Sequence, residues 1–160
     1  MTEETSALPA VPMVDVRAGG ALRHALEGRA EALALRDDCL SVFPRGTVAA
    51  MPLLDRLARR WLVRSRALYV AEIETMARAL GFAGVWFLNG SYQWGCTSLA
   101  REEEGALWLV RTLDWPFPGL GRRVAVARMR GPAGEFFSVT WPGYVGALTA
   151  MAPGRFAACI

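Results

Sequence analysis

Cys96, Arg111 and Asp114 are the residues whose types and spacing could do covalent chemistry in this chain, and they share one stretch, C-T-S-L-A-R-E-E-E-G-A-L-W-L-V-R-T-L-D-W, from Cys96 to Trp115. Thiolate is the reactive form of cysteine, and a nearby cation favours it. The usual base for such a thiol is histidine. Here the one histidine, His24, lies far back in a stretch that reads as helix, where a surface or half-buried position is its ordinary role. The remaining base is an α-amine, whose reference pKa of about 7.7 to 8.0 suits proton transfer near neutrality. That requires Cys96 to become a chain N-terminus by cleavage after Gly95, and a residue without Cβ permits the strained backbone of such an attack. Asp114 could then hold the new ammonium by a charge-assisted hydrogen bond.

These groups need a scaffold that brings them together. Cys96 to Leu99 reads as a strand, Glu102 to Gly105 as a polar turn and Ala106 to Leu113 as the returning strand of a β-hairpin. A turn centred near Glu103 sets Cys96 opposite Val110 or Arg111. Arg111 and Asp114 are three positions apart, which in an unbroken strand points them to opposite faces. The strand is therefore expected to end or bulge near Thr112, ahead of Pro116 and Pro118, so that Asp114 turns back toward Cys96.

The run C-T-S-L-A-x-x-x-x-G-x-x-x-x-x-R-T-L-D-W resembles the segment that opens the mature subunit of the acid ceramidase and N-acylethanolamine acid amidase group, N-terminal-nucleophile hydrolases related to choloylglycine hydrolases. The resemblance extends through Leu88-Asn89-Gly90-Ser91-Tyr92, and through Gly143-Tyr144-Val145-Gly146-Ala147-Leu148-Thr149 to Pro153-Gly154-Arg155-Phe156. It covers residues from about Ala71 to Ile160. It implies Cys96 as the nucleophile and the residue exposed by self-cleavage at Gly95–Cys96, Asp114 as the group orienting its amine, and Arg111 beside the reacting carbonyl.

The implied reaction is hydrolysis of a linear carboxamide, an N-acyl amide with an apolar acyl chain, through an acyl-thioester and without metal or cofactor. Bile-salt conjugates and penicillins are other substrates of the superfamily. Trp94, Trp115, Phe117 and Tyr144 could line an apolar substrate pocket or simply pack in the core. The interval from Cys96 to Arg111 is one residue shorter than the family's, which points to a shortened hairpin turn. The family's later asparagine and second arginine fall beyond Ile160.

The implied fold is α+β, a four-layer αββα sandwich of which this chain supplies the N-terminal helices and the first antiparallel sheet. Residues 1–95 form the helical N-terminal segment and 96–160 the start of the catalytic domain. Because the sequence stops within an apolar strand, the remainder of the catalytic domain is expected after Ile160. The competing reading is an inactive relative that binds lipid or a partner.

Composition bounds the alternatives. Among 160 residues the net charge is +3 and charged residues are only 21%, too mild and too mixed to argue for nucleic acid. All 18 basic residues are Arg. Cys39, Cys96 and Cys159 have neither paired spacing nor an even count, so no disulfide framework or zinc knuckle is expected and a reducing compartment, the cytoplasm, fits. Residues 1–10 are a polar tail with Glu3 and Glu4 and no signal-peptide pattern, and no apolar run reaches membrane-spanning length.

Along the rest of the chain, Val11 to Arg17 reads as a short strand, Ala21 to Arg36 as a helix, and Met51 to Gly81 as strongly helical, with Gly81 as its stop. Leu53, Leu57 and Trp61 mark one apolar face, and Tyr69, Ile73, Met76 and Leu80 another. Arg56, Arg59, Arg60, Arg64 and Arg66 make the first half basic, as on a helix that lies on an anionic membrane; packing on a sheet with a solvated arginine face is the preferred alternative. Val85 to Leu88 reads as a buried strand, Arg122 to Arg130 and Glu135 to Trp141 as a second hairpin, Tyr144 to Thr149 as a short strand and Arg155 to Ile160 as the last.

Overall fold

The computed structural model describes residues 10–90 and 95–160. Strand β1 (Met13–Asp15) leads into helices α1 (Gly20–Glu27), α2 (Arg29–Leu40), α3 (Thr47–Arg64), α4 (Val70–Leu80) and α5 (Val85–Asn89). Six strands follow: β2 (Cys96–Glu103), β3 (Ala106–Leu113), β4 (Ala125–Gly131), β5 (Gly134–Thr140), β6 (Thr149–Ala152) and β7 (Phe156–Cys159), with a 3-10 turn at Leu120–Arg123. The class is α+β.

The main sheet has the order β1-β4-β5-β6-β7, and the hairpin β2–β3 is a separate two-stranded sheet. This differs from the single antiparallel sheet expected. The five-stranded sheet is mixed, because β1 pairs parallel with β4, Met13 opposite Val126, across a connection that holds the five helices and the β2–β3 hairpin. Strand β1 of the helical N-terminal segment thus completes a sheet made from residues after 96. On β4 and β5 the inward positions are the small residues Ala125, Ala127, Ser138 and Thr140, all buried. The neighbouring core joins Leu35 and Cys39 of α2 to Leu120, Trp141 and Leu148.

Several expected elements are redrawn by tertiary contacts. The helix expected over 21–36 is divided at Gly28, where a Cβ would stand 2.6 Å from the Pro142 ring. The chain passes too close there for any larger residue. The helical stretch 51–81 is likewise two helices, separated at residues 65–69. Gly81 does stop α4, at φ 69°, and Ile73, Met76 and Leu80 are buried as the spacing implied, while Tyr69 is exposed.

The strand expected at Val85 to Leu88 is the helix α5. Its cause is Asp55 of α3, whose Oδ2 accepts the Gly84 N–H at 2.7 Å and whose Oδ1 accepts the Phe87 N–H at 2.9 Å. A carboxylate from another helix supplies the N-terminal cap that the local sequence lacks. The same contact turns α3 so that Met51, Asp55, Ala58 and Leu62 face inward, with Met51 and Leu62 fully buried. Leu53, Leu57 and Trp61, the face expected in the core, point outward instead. Residues 144–148 are irregular rather than a strand, and β6 begins only at Thr149. Among the described residues no helix is long and apolar enough to cross a membrane.

Candidate active site

The hairpin that carries Cys96 closes through a two-residue turn, Glu104 and Gly105, both with positive φ (52° and 77°). Mirror-type turns of this kind match the right-handed twist of the flanking strands. The turn fixes the register: Cys96 pairs with Leu113, Ser98 with Arg111, Leu99 with Val110 and Glu103 with Ala106. Cys96 is therefore not opposite Val110 or Arg111 as expected. The four-residue turn of the sequence reading leaves Glu102 and Glu103 unpaired, whereas both belong to the ladder.

Side chains alternate across a sheet, so Cys96 and Arg111 still share a face, as diagonal neighbours. Arg111 Nη1 donates to Cys96 Sγ at 3.2 Å, and Arg111 Nε donates to Thr149 Oγ1 at 3.0 Å. A positive charge is thus set against the sulfur and anchored from the main sheet. Among the described residues neither an imidazole nor a carboxylate hydrogen-bonds the Cys96 thiol, and His24 is buried in α1.

Asp114 does not join that face. Strand β3 runs unbroken through Leu113, without the bulge expected at Thr112, so Asp114 emerges on the side of Thr112. Its Oδ2 accepts from Thr97 Oγ1 at 2.7 Å and its Oδ1 from Thr112 Oγ1 at 3.0 Å. The Thr97 hydroxyl first, then the Thr112 hydroxyl and the Thr97 N–H, hold the Asp114 carboxyl below the usual aspartate range. Asp114 is a fixed anion at the residue after Cys96, behind the strand rather than beside the thiol. Among the described residues nothing lies within 4 Å of where a Cβ on Gly95 would stand, and Gly95 lies outside the left-handed region, so none of them demands glycine there.

Trp115 and Tyr144 line a cavity of about 460 Å³ together with Leu35, Leu88, Phe117 and Trp141. That size falls within the range of ligand pockets, and the lining is predominantly apolar. Trp141 organises one wall: its Nε1 donates to Leu120 O at 3.0 Å, and its ring stands 5.4 Å from Trp115 and 5.9 Å from Tyr144. Phe43, Leu57 and Trp61 border the cavity while remaining partly exposed, so its mouth opens along α3. Cys96, Arg111 and Asp114 are not lining residues. Trp94, the other aromatic assigned to this pocket, lies outside the described residues. Cys39 lines the cavity as a buried thiol pushed up to about 11 by burial and, secondarily, by Asp38, in keeping with an inert structural cysteine.

Two residues that support the site lie within the motifs quoted above, which assign them no role. Thr149 closes the run from Gly143, and nothing in its spacing reveals that it holds Arg111. Asn89 joins two of the quoted motifs: its Nδ2 donates to Gly143 O at 2.8 Å and its Oδ1 accepts the Val145 N–H at 2.9 Å. Among the described residues no group of three or more His, Cys, Asp or Glu side chains could hold a metal ion. Compared with protein families, with curated proteins and with solved structures, the chain finds no match.

Proposed function

We propose that this chain belongs to a cysteine N-terminal-nucleophile amidohydrolase acting on linear N-acyl amides, with an αββα arrangement as its finer fold. The observation that carries the reading is the Arg111 guanidinium held 3.2 Å from Cys96 Sγ, with Asp114 fixed one residue along at Thr97. In maturation, the Cys96 thiol attacks the Gly95 carbonyl, the acyl group moves from nitrogen to sulfur, and water hydrolyses the thioester. The products are a carboxylate on Gly95 and a free α-amine on Cys96.

In turnover, the amine takes the thiol proton as sulfur adds to the substrate carbonyl and passes it to the departing amine. Water then hydrolyses the acyl-thioester. Arg111 stabilises the developing oxyanion, and Asp114 stabilises the ammonium from behind the strand. The cavity beside Trp115 and Tyr144 suits the apolar acyl chain, and a bile-salt or penicillin amide is the variant within the same chemistry.

Intact mass of the chain and of Cys96→Ala tests the reading. Two fragments meeting at Gly95–Cys96 in the wild type, none in the variant, and release of fatty acid from an N-acylethanolamine are the expected results. An uncut wild type at both neutral and mildly acidic pH overturns it.

A second reading is a lipid-binding module, with or without activity. The specific observation is α3, where Leu53, Leu57 and Trp61 are 56%, 55% and 52% exposed. Arg56, Arg60, Arg64 and Arg66 have no ion pair among the described residues, whereas Arg59 bonds Glu74 at 2.8 Å. An apolar stripe flanked by unpaired arginines fits an anionic membrane surface.

A further inference from the structure

We infer that Thr149 is the positioning residue of the site: by accepting the Arg111 Nε–H it fixes the plane of the guanidinium and so aims Nη1 at the Cys96 sulfur. The inference rests on the reading of Cys96 and Arg111 given above and adds to it a residue on another sheet.

The two sheets are held very differently. Thr149 is secured on both sides, opposite Val139 of β5 and opposite Cys159 of β7, and it follows Leu148, which is fully buried. The hairpin is exposed along most of both strands, and Leu113 at its base packs toward the core. An arginine on such an arm has many rotamers open to it. Among the described residues the Arg111–Thr149 contact, at 3.0 Å, is the hydrogen bond that joins the hairpin to the main sheet. A guanidinium presents its donors as a rigid planar fork, so fixing Nε also fixes the direction of Nη1. Nη1 then reaches Sγ at 3.2 Å, with no further hydrogen bond to orient it among the described residues. This is how a supporting residue acts on a reacting group through the one that touches it.

Cys159 of β7 offers a neighbouring reference thiol. It stands directly across the ladder from Thr149, so its own reactivity reports any disturbance of β6.

The test is the rate of alkylation of Cys96 by iodoacetamide at pH 7.5, followed peptide by peptide by mass spectrometry in the full chain, with Cys159 as internal control. Thr149→Val keeps the shape and removes the acceptor, Thr149→Ser restores it, and Arg111→Ala removes the guanidinium. The expected result is a Cys96 rate about fivefold lower in Thr149→Val, restored within about twofold in Thr149→Ser, and at least as low in Arg111→Ala, with Cys159 unchanged throughout. If Arg111→Ala slows Cys96 and Thr149→Val does not, the positioning role is refuted while the Cys96–Arg111 pair stands. If neither variant changes the rate, the pair itself is refuted, and the role of Thr149 falls with it. If Cys159 changes together with Cys96 in both Thr149 variants, the residue is structural and the inference is overturned.

Discussion

Asn89 and Val145 are joined by a hydrogen bond from the Val145 N–H to Asn89 Oδ1 at 2.9 Å, and the Asn89 amide nitrogen donates to Val85 O and Gly143 O. One buried side chain thereby satisfies three backbone groups and ties the end of α5 to the segment that leads into β6 and Thr149. The cavity wall at Tyr144 depends on the same tie.

Replacing Asn89 by Ala removes all three bonds and leaves Gly143 O and the Val145 N–H without this partner in a part-buried setting, while Val85 O keeps its helical bond. The expected loss is about 2 to 4 kcal/mol of folding free energy, read from urea denaturation. A loss below about 0.5 kcal/mol would mean that water takes over all three bonds.

Asp55→Ala removes the cap of α5 supplied from α3. The expected cost is about 1 to 2 kcal/mol, and Asp55→Asn, which keeps one acceptor, lies between the variant and the wild type. Hydrogen exchange at Gly84 and Phe87 distinguishes local fraying of α5 from global loss.

His24 is buried in α1, and burial lowers its pKa below the ordinary 6.5, with Glu27 opposing in part. Below pH 6.5 the unfolded chain therefore binds more protons at this site than the folded one, so stability falls as pH drops from 6.5 toward the folded value. The slope from this group is up to about 1.4 kcal/mol per pH unit. Urea midpoints between pH 7.5 and 5.5 are expected to decline in the wild type and to flatten in His24→Gln. An equal decline in both assigns the effect to other groups.

The α3 stripe predicts binding to vesicles of phosphatidylcholine containing phosphatidylserine and little binding to phosphatidylcholine alone. Leu57→Ser combined with Trp61→Ser is expected to weaken it by about tenfold or more. Arg60→Glu with Arg64→Glu is expected to weaken it similarly and to reduce its salt dependence. Sedimentation with vesicles measures both, and unchanged binding of the serine variant removes the membrane reading. Loss of a concentration-dependent dimer in that variant assigns the stripe to self-association instead.

Features that depend on near neighbours along the chain were legible in the sequence. Gly81 ends α4, Pro132-Ala133 turns β4 into β5, and Cys96 and Arg111 meet on one face because a hairpin with alternating side chains makes them meet even when its register differs from the expected one. Turn chemistry and periodicity act over a few residues, and these outcomes follow from them.

The tertiary structure decided the rest, wherever a polar group found its partner far along the chain. Asp55 made residues 85–89 a helix from 29 positions away and so turned the apolar stripe of α3 outward. Thr149 reached Arg111 across 38 positions, and Asn89 reached Val145 across 56. Each bond pairs a part-buried N–H or guanidinium with whatever acceptor packing brings near, and packing is a property of the whole fold. Asp114 shows the converse: its spacing suggested a bulge that would turn it back to Cys96, but an unbroken strand put its carboxylate on the opposite face, on Thr97 and Thr112.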